Sequence, residues 1–183
     1  MRITYVTGVS GAGKTTVAEQ LYNGGTPAGY RVVDLDAAGR PNAAPVEWLR
    51  WSAAEQLHHA TEGWPTPEGA PHPTQLIVCG IVWPHAVVDC NAWAAARAAG
   101  VLVEFVMLDV PHKVIRARLT ERNGDNGDPK HFRELLRYNR QLAQVLRHQV
   151  ENQRNGTVVP AEGMTPEAVA EYVRRSPLDR WPL

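Results

Sequence analysis

The chain has 183 residues, of which 44% are hydrophobic and 21% charged, and its 19 basic and 19 acidic residues give a formal net charge of zero. This length suits a single domain with a full hydrophobic core. The balanced charge provides no long-range attraction for nucleic acid or membrane surfaces, so we expect neither as a partner.

The cysteines and the apolar runs indicate the compartment. Cys79 and Cys90 are the only two cysteines, and they have neither the spacing of metal ligands nor that of a disulfide framework. We therefore expect two buried thiols in a reducing environment. No apolar run approaches the roughly 18 residues of a membrane-spanning helix, and Gly8 and Lys14 come too early for a signal peptide. These observations predict a cytoplasmic protein.

The first predicted strand and helix enclose a glycine-rich loop that fits the pattern Gly-x4-Gly-Lys-Ser/Thr. Its glycines allow backbone N–H groups to surround an anion, and the following helix N-terminus adds partial positive charge. Lys14 supplies a full charge for the β- and γ-phosphates, and Thr15 offers its hydroxyl to Mg²⁺. The residues predicted to bind a nucleotide here are Gly8, Ser10, Gly11, Ala12, Gly13, Lys14, Thr15 and Thr16.

Apolar runs recur along the chain at intervals that leave room for helices. The predicted strands are Arg2–Thr7, Arg31–Leu35, Gln75–Gly80, Val101–Leu108 and Thr157–Val159. The predicted helices are Lys14–Tyr22, about Pro45–Thr61, about Pro84–Ala99, His112–Arg122, about Lys130–Asn152 and Pro166–Arg174. Near-continuous apolar strands that alternate with helices indicate βαβ units and an α/β fold, here as one domain over residues 1–183.

Two polar segments interrupt this alternation. Residues 62–74 are rich in proline, and residues 123–129 are rich in glycine, asparagine and aspartate. Ligand chemistry in open α/β sheets collects beyond the carboxyl ends of the strands, where mobile loops act as lids. Both segments are candidates for that role, and the first is equally consistent with a plain surface connection.

Two aspartates close the second predicted strand. Asp34 and Asp36 are two residues apart, so on a strand they would share a face at the edge where the glycine-rich loop also ends. One carboxylate can hold Mg²⁺, while the other orients or deprotonates an attacking hydroxyl. We assign the metal to Asp34 and the hydroxyl to Asp36, which lies farther beyond the sheet edge. The alternative is a solvated strand end whose aspartates cap a turn.

Five motifs occur in a recognisable order: Gly8–Thr15, Asp34-Leu35-Asp36, Val78-Cys79-Gly80, Leu108–Pro111 and Arg118–Arg122. From residue 1 to about 175 the chain resembles the small P-loop kinases of the shikimate kinase, gluconate kinase and nucleoside-monophosphate kinase group. The resemblance implies a three-layer fold with a five-stranded parallel sheet in the order 2-3-1-4-5. It also implies ATP, Mg²⁺, an acceptor-binding insertion at about 37–74 and a lid at about 118–133.

Arginines in the second half are candidates for phosphate binding. Arg118 and Arg122 are four residues apart and share a helix face, whereas Arg116 points elsewhere. The resemblance implies that Arg118 packs near the adenine and that Arg122 reaches the transferring phosphate, where permanent planar charge is effective. The alternative is a solvated helix face paired with Glu104 and Glu121.

The acceptor side is less well defined by the sequence. Trp48 and Trp51 stand three residues apart on a predicted helix, where they would stack on an acceptor or pack in the core. Arg137 belongs to an arginine stripe on another predicted helix, which would bind an anionic acceptor if it faced the cleft and would solvate the surface if it faced water. We include all three among the predicted substrate-binding residues.

Three functions remain open. The first is an ATP-dependent kinase that transfers the γ-phosphoryl group to a hydroxyl of a small metabolite, with Lys14, Asp36 and Arg122 as the catalytic residues. The second is a nucleoside-monophosphate or nucleoside kinase. The third is an ATPase or nucleotide-binding module, which is disfavoured because Val110, not glutamate, follows Asp109. A GTPase is disfavoured because no Asn/Thr-Lys-x-Asp sequence occurs.

Overall fold

The computed structural model describes residues 1–24, 29–36, 52–63, 73–123 and 129–175. The strands in these ranges are β1 (Arg2–Thr7), β2 (Tyr30–Asp34), β3 (Gln75–Cys79), β4 (Leu102–Asp109) and β5 (Gly156–Pro160). The helices are α1 (Lys14–Asn23), α2 (Ala53–Glu62), α3 (Pro84–Val88), α4 (Ala92–Ala98), α5 (His112–Asn123), α6 (Pro129–Glu151) and α7 (Pro166–Arg174).

The five strands form one parallel sheet in the order β2-β3-β1-β4-β5. The predicted α/β fold class and strand order are therefore confirmed. β1 lies at the centre, where Arg2 pairs with Gln75 of β3 on one side and with Leu102 of β4 on the other. The carboxyl ends of all five strands meet at one edge, which brings together the segments that follow each strand.

The core lies on both faces of this sheet. All five residues of β3 are buried, as are the last five of β1. Since successive strand residues point to opposite faces, such runs require cover on both sides. α6 packs against β4 and β5, while α1 packs against β2 and α7.

No helix in the described part of the chain is both long enough and apolar enough to span a membrane.

Two predicted helices differ from the observed ones. The segment expected to form one helix at Pro84–Ala99 is divided: α3 ends at Val88 with Asp89 as its C-cap, and α4 begins at Ala92 with Asn91 as its N-cap. α2 begins at Ala53, not near Pro45, because Ser52 and Glu55 form a reciprocal capping box. Residues 37–51, most of the proline-rich loop and residues 124–128 of the predicted lid lie outside the described residues.

The expectation of two buried thiols holds for one cysteine. Cys79 is fully buried in β3, and this burial raises the pKa of its thiol. Cys90 is only partly buried: it lies in the short connection between α3 and α4 and packs against the core from there.

Candidate functional site

The loop between β1 and α1 has a conformation that depends on glycine. Gly11 and Gly13 have φ angles of 84° and 97°, which residues with a side chain rarely adopt. A Cβ at Gly11 would lie 3.3 Å from the Leu119 side chain, so α5 packs directly onto the loop. Gly13 is the N-cap of α1, where the first N–H groups of a helix lack intrahelical partners. The loop is therefore suited to an anion, as its sequence predicts.

Lys14 is the first residue of α1 and is almost completely buried, with 4% of its surface exposed. Its Nζ donates a hydrogen bond to the Val9 carbonyl at 3.1 Å. Burial lowers the pKa of Lys14, and the nearby Asp36 and Asp34 carboxylates partly oppose this shift. A buried ammonium with so few partners gains from an anionic ligand that pairs with it.

The two aspartates occupy different environments. Asp34 is the last residue of β2 and is only 2% exposed, whereas Asp36 is exposed and belongs to the turn that follows. The expected strand geometry is thus wrong for Asp36, because the Asp34 carboxylate accepts the Asp36 N–H at 3.0 Å and turns the chain. Both carboxylates nevertheless lie close enough to Lys14 to favour its charged form.

Two arginines of α5 contact the glycine-rich loop. Arg118 Nη1 donates to the Gly11 carbonyl at 3.2 Å, and Arg122 Nη2 donates to Ser10 Oγ at 3.4 Å. Glu104 is not their partner, because it is buried in β4 and lies 3.6 Å from Arg2. The shared helix face therefore points towards the loop.

Most of these groups line one cleft of about 520 Å³. Its polar residues, together with two loop glycines, are Ser10, Gly11, Gly13, Lys14, Thr15, Thr16, Glu19, Asp36, Arg118 and Arg122. Its apolar residues include Ala12, Leu108, Leu119, Ala161, Met164 and Val169. A cleft that combines cationic groups with an apolar wall matches a ligand with a phosphate end and a flat heterocycle. Gly8 lies at the base of the loop, buried against Leu108.

Two of the predicted residues that the structure describes, Asp34 and Arg137, do not line this cleft. Arg137 is exposed on α6 and is absent from the cleft lining in the described part of the chain. Trp48 and Trp51 lie outside the described residues. Asp34 is buried and is not among the residues that line the cleft.

Asn139 also contacts the loop and was not among the residues predicted from the sequence. This residue of α6 is 2% exposed, and its Nδ2 donates to the Ser10 carbonyl at 3.1 Å. The signal was a polar residue at a core-facing position, because Asn139 precedes Leu142, Leu146 and Val150 on the buried face of the helix. It connects α6 to the same residue that Arg122 contacts.

The oxygen groups near the loop fit Mg²⁺ better than a transition metal. The Thr15 hydroxyl and the Asp34 carboxylate are hard ligands, and Mg²⁺ commonly takes only one or two protein oxygens beside phosphate and water. Within the described ranges, no group of three or more His, Cys, Asp or Glu side chains could hold a metal ion.

Comparison with known proteins identifies the fold. No protein-family model matches the chain, and no curated protein matches it either. The tunicamycin resistance protein of Deinococcus radiodurans is 17% identical, with 94% of this chain and 92% of that chain covered at a TM-score of 0.51. A sugar kinase from Janibacter sp. is 24% identical, with 94% and 91% covered at a TM-score of 0.52. The chain therefore has a P-loop kinase-like fold.

Proposed function

We propose that this protein is an ATP-dependent kinase that transfers the γ-phosphoryl group to a hydroxyl of a small metabolite. The observation that carries the proposal is the lining of one cleft. Lys14 and Arg122 provide positive charge from two directions, and the exposed Asp36 carboxylate lies in the same cleft. Phosphoryl transfer needs both positioning charges and a group that handles the attacking oxygen.

We assign each residue of the cleft a role in nucleotide binding or phosphoryl transfer from its position. Lys14 and the loop glycines bind the β- and γ-phosphates, and Arg118 closes the cleft beside Gly11. Arg122 stabilises negative charge on the transferring group. The apolar wall at Ala161 and Met164 accepts the base of the nucleotide. The Asp36 carboxylate accepts the proton of the acceptor hydroxyl.

Thr15 and Asp34 are the residues that would hold Mg²⁺. When bound, this ion neutralises charge on the phosphate oxygens. The buried Asp34 carboxylate is fixed by its bond to the Asp36 N–H, so it offers a preformed anchor for a hydrated ion. The same bond connects the proposed metal residue to the proposed hydroxyl-binding residue.

A nucleoside-monophosphate or nucleoside kinase is the second candidate. A phosphate acceptor needs cations more than a base, and the stripe that contains Arg137 on α6 would supply them. Trp48 and Trp51, together with the insertion at about 37–74, are the proposed acceptor-binding elements in either case.

The test is ATP consumption by the full chain with Mg²⁺ against sugars, polyols, nucleosides and nucleotides, with the product mass measured. We expect an acceptor whose mass increases by one phosphoryl group and whose hydroxyl is modified. The Janibacter neighbour described as a sugar kinase makes sugars the first class to include. A matched Lys14→Met variant should give no product. Phosphate release without a modified acceptor would contradict the kinase and indicate an ATPase. A nucleotide that gains its phosphoryl group on a phosphate oxygen would favour the second candidate.

A further inference from the structure

The first part of the glycine-rich loop is a tight turn whose central peptide bond joins Ser10 to Gly11. The Ala12 N–H closes this turn on the Val9 carbonyl at 3.1 Å. The φ angle of 84° at Gly11 matches a type II turn, whose third residue has a φ of about 80°. A type I turn would keep the same closing hydrogen bond and have its central peptide rotated by about 180°. Because glycine tolerates both conformations, Gly11 does not by itself determine which way this peptide faces.

A side chain of α6 holds the central peptide in the observed direction. Asn139 Nδ2 donates to the Ser10 carbonyl at 3.1 Å, and only the amide nitrogen of an asparagine side chain can donate to a carbonyl. Arg118 of α5 donates to the next carbonyl, that of Gly11, at 3.2 Å. The carbonyls of both central residues of the turn are therefore bonded by side chains from two different helices.

The bond from Asn139 also fixes the direction of the Gly11 N–H. The peptide bond between Ser10 and Gly11 is trans, so its C=O and N–H point in opposite directions. Both residues line the nucleotide cleft, whereas Asn139 does not, so a carbonyl that faces Asn139 leaves the N–H facing the cleft. Within the described residues, no hydrogen bond occupies the Gly11 N–H. It is therefore a free donor beside the phosphate site.

The packing of Asn139 does not explain why this position carries an asparagine. The residue is almost completely buried on the same helix face as Leu142, Leu146 and Val150, and its Oδ1 atom is buried without a hydrogen-bond partner. A buried polar atom without a partner costs stability, and leucine has the same branching without that cost. The amide N–H that reaches Ser10 is therefore the part of this side chain that needs a function.

We propose that Asn139 is a positioning residue for the nucleotide: it holds the Ser10 carbonyl away from the cleft and so directs the Gly11 N–H at the bound phosphate. This inference rests on the proposed function and adds a residue to it. Without the Asn139 donor, the peptide can rotate and present the partial negative charge of the Ser10 carbonyl to the phosphate. Loss of one hydrogen bond to a charged group weakens binding by about 10- to 100-fold.

Calorimetric titration of the full chain with ADP and Mg²⁺ tests this proposal. We expect Asn139→Leu to bind ADP more weakly than the unmodified chain by that factor. Asn155→Leu is the matched control, because Asn155 Nδ2 also donates to a backbone carbonyl, that of Val103 at 3.2 Å, and Asn155 does not line the cleft. This control should bind ADP as the unmodified chain does. Equal weakening in both variants would reflect a general loss of stability and would overturn the proposal.

Nuclear magnetic resonance of the isotope-labelled protein reports on the peptide itself. In the unmodified chain, ADP should shift the Gly11 amide proton strongly downfield, because a hydrogen bond to phosphate deshields it. In Asn139→Leu this shift should be lost, while the amide of Lys14 at the start of α1 still responds. A purely structural role for Asn139 would not produce this difference.

The outcomes separate this inference from the proposed function. Unchanged ADP affinity in Asn139→Leu, or a Gly11 shift that persists, overturns the positioning role and leaves the proposed function intact. Absence of ADP binding by the unmodified chain contradicts the proposed function, and the positioning role with it. Circular dichroism verifies that each variant folds. Should Asn139→Leu fail to fold, Asn139→Ala decides, because it removes the same donor without adding volume.

Discussion

Lys14 carries the charge proposed to bind phosphate on a side chain that is buried. The choice of substitution therefore has to separate the loss of charge from the loss of buried volume. Alanine would remove buried volume as well as charge, whereas methionine keeps the length of the side chain. We expect Lys14→Met to lower kcat by about 10² to 10⁴, because it removes one positive charge from the β- and γ-phosphates. Steady-state kinetics with the best acceptor measure this, and near-normal turnover would contradict the assignment of the loop.

The same substitution should stabilise the protein without ligand. Because burial lowers the pKa of Lys14 in the folded state, the unfolded state binds the proton more strongly. This penalty is fully present below the lowered pKa of the folded state, and it decreases as the pH rises through that pKa towards the unfolded pKa of about 10.4. Lys14→Met should therefore unfold at a higher temperature than the unmodified chain at pH 7, with a smaller difference at pH 10. An equal difference at both pH values would show that packing, not charge, is responsible.

Arg118 and Arg122 contact different residues of the loop, so their substitution should affect different kinetic constants. Arg122→Ala should lower kcat by about 10² or more with little change in the ATP KM, since its contact matters most when charge develops on the transferring group. Arg118→Ala should raise the ATP KM about tenfold. Arg116→Ala on the same helix is the control. Small and equal effects at both positions would indicate a solvated helix face.

Asp34 and Asp36 should also be separable by kinetics. Asp36→Asn removes the proton acceptor and should lower phosphoryl transfer by roughly 10² or more while ATP still binds. Asp34→Asn retains an oxygen that can accept the Asp36 N–H, so the turn should persist while the Mg²⁺ requirement increases. Added Mg²⁺ should partly rescue Asp34→Asn and not Asp36→Asn. Full activity in both variants would contradict the proposed transfer to a hydroxyl.

At the scale of elements, α7 supports the apolar wall of the cleft through its N-terminus. Thr165 caps this helix by accepting the Ala168 N–H at 3.2 Å, and Pro166 and Val169 line the cleft. Thr165→Ala should cost about 1 kcal/mol, which corresponds to a decrease of roughly 2–4 °C in Tm for a protein of this size. Thr165→Ser, which keeps the hydroxyl, is the control. An unchanged Tm for Thr165→Ala would show that the cap contributes nothing.

The sequence predicted most elements because their signals are local. The bounds of β1 and α7 agree with the prediction, since an apolar β-branched run and a Thr-Pro helix start need no distant partner. The division between α3 and α4 was missed, because the prediction gave more weight to the alanine-rich composition of the segment than to Asp89 and Asn91, which are weaker helix formers.

For the candidate site too, the sequence predicted the parts that have local signals and not those assembled from distant segments. The loop motif and Arg118 and Arg122 come from contiguous patterns. The apolar wall is assembled from residues as far apart as Leu108 and Val169, which no local pattern connects. Asn139 likewise has a clear role only when α6 lies against the loop.

At the scale of the whole molecule, the single-domain organisation remains a prediction that ligand binding can test. ADP with Mg²⁺ at about 100 times its Kd should stabilise the folded state by about 2.7 kcal/mol, which raises Tm by roughly 5–10 °C. Far-UV circular dichroism and tryptophan fluorescence should shift together if residues 1–183 unfold as one unit. Lys14→Met should lose most of the increase. Two separate transitions would instead indicate independent domains.

The central position of β1 has a consequence for how the chain is made. Thr7 pairs with Met107, so after β1 leaves the ribosome roughly a hundred further residues must be made before its second neighbour exists. At translation rates of about 5–20 residues per second, this delay is roughly 5–20 seconds. Until β3 is made, both edges of this apolar β-branched strand are unpaired, and until β4 is made one edge stays unpaired, which exposes it to aggregation. Production of this protein should therefore depend on translation speed and chaperone supply more than its folded stability suggests.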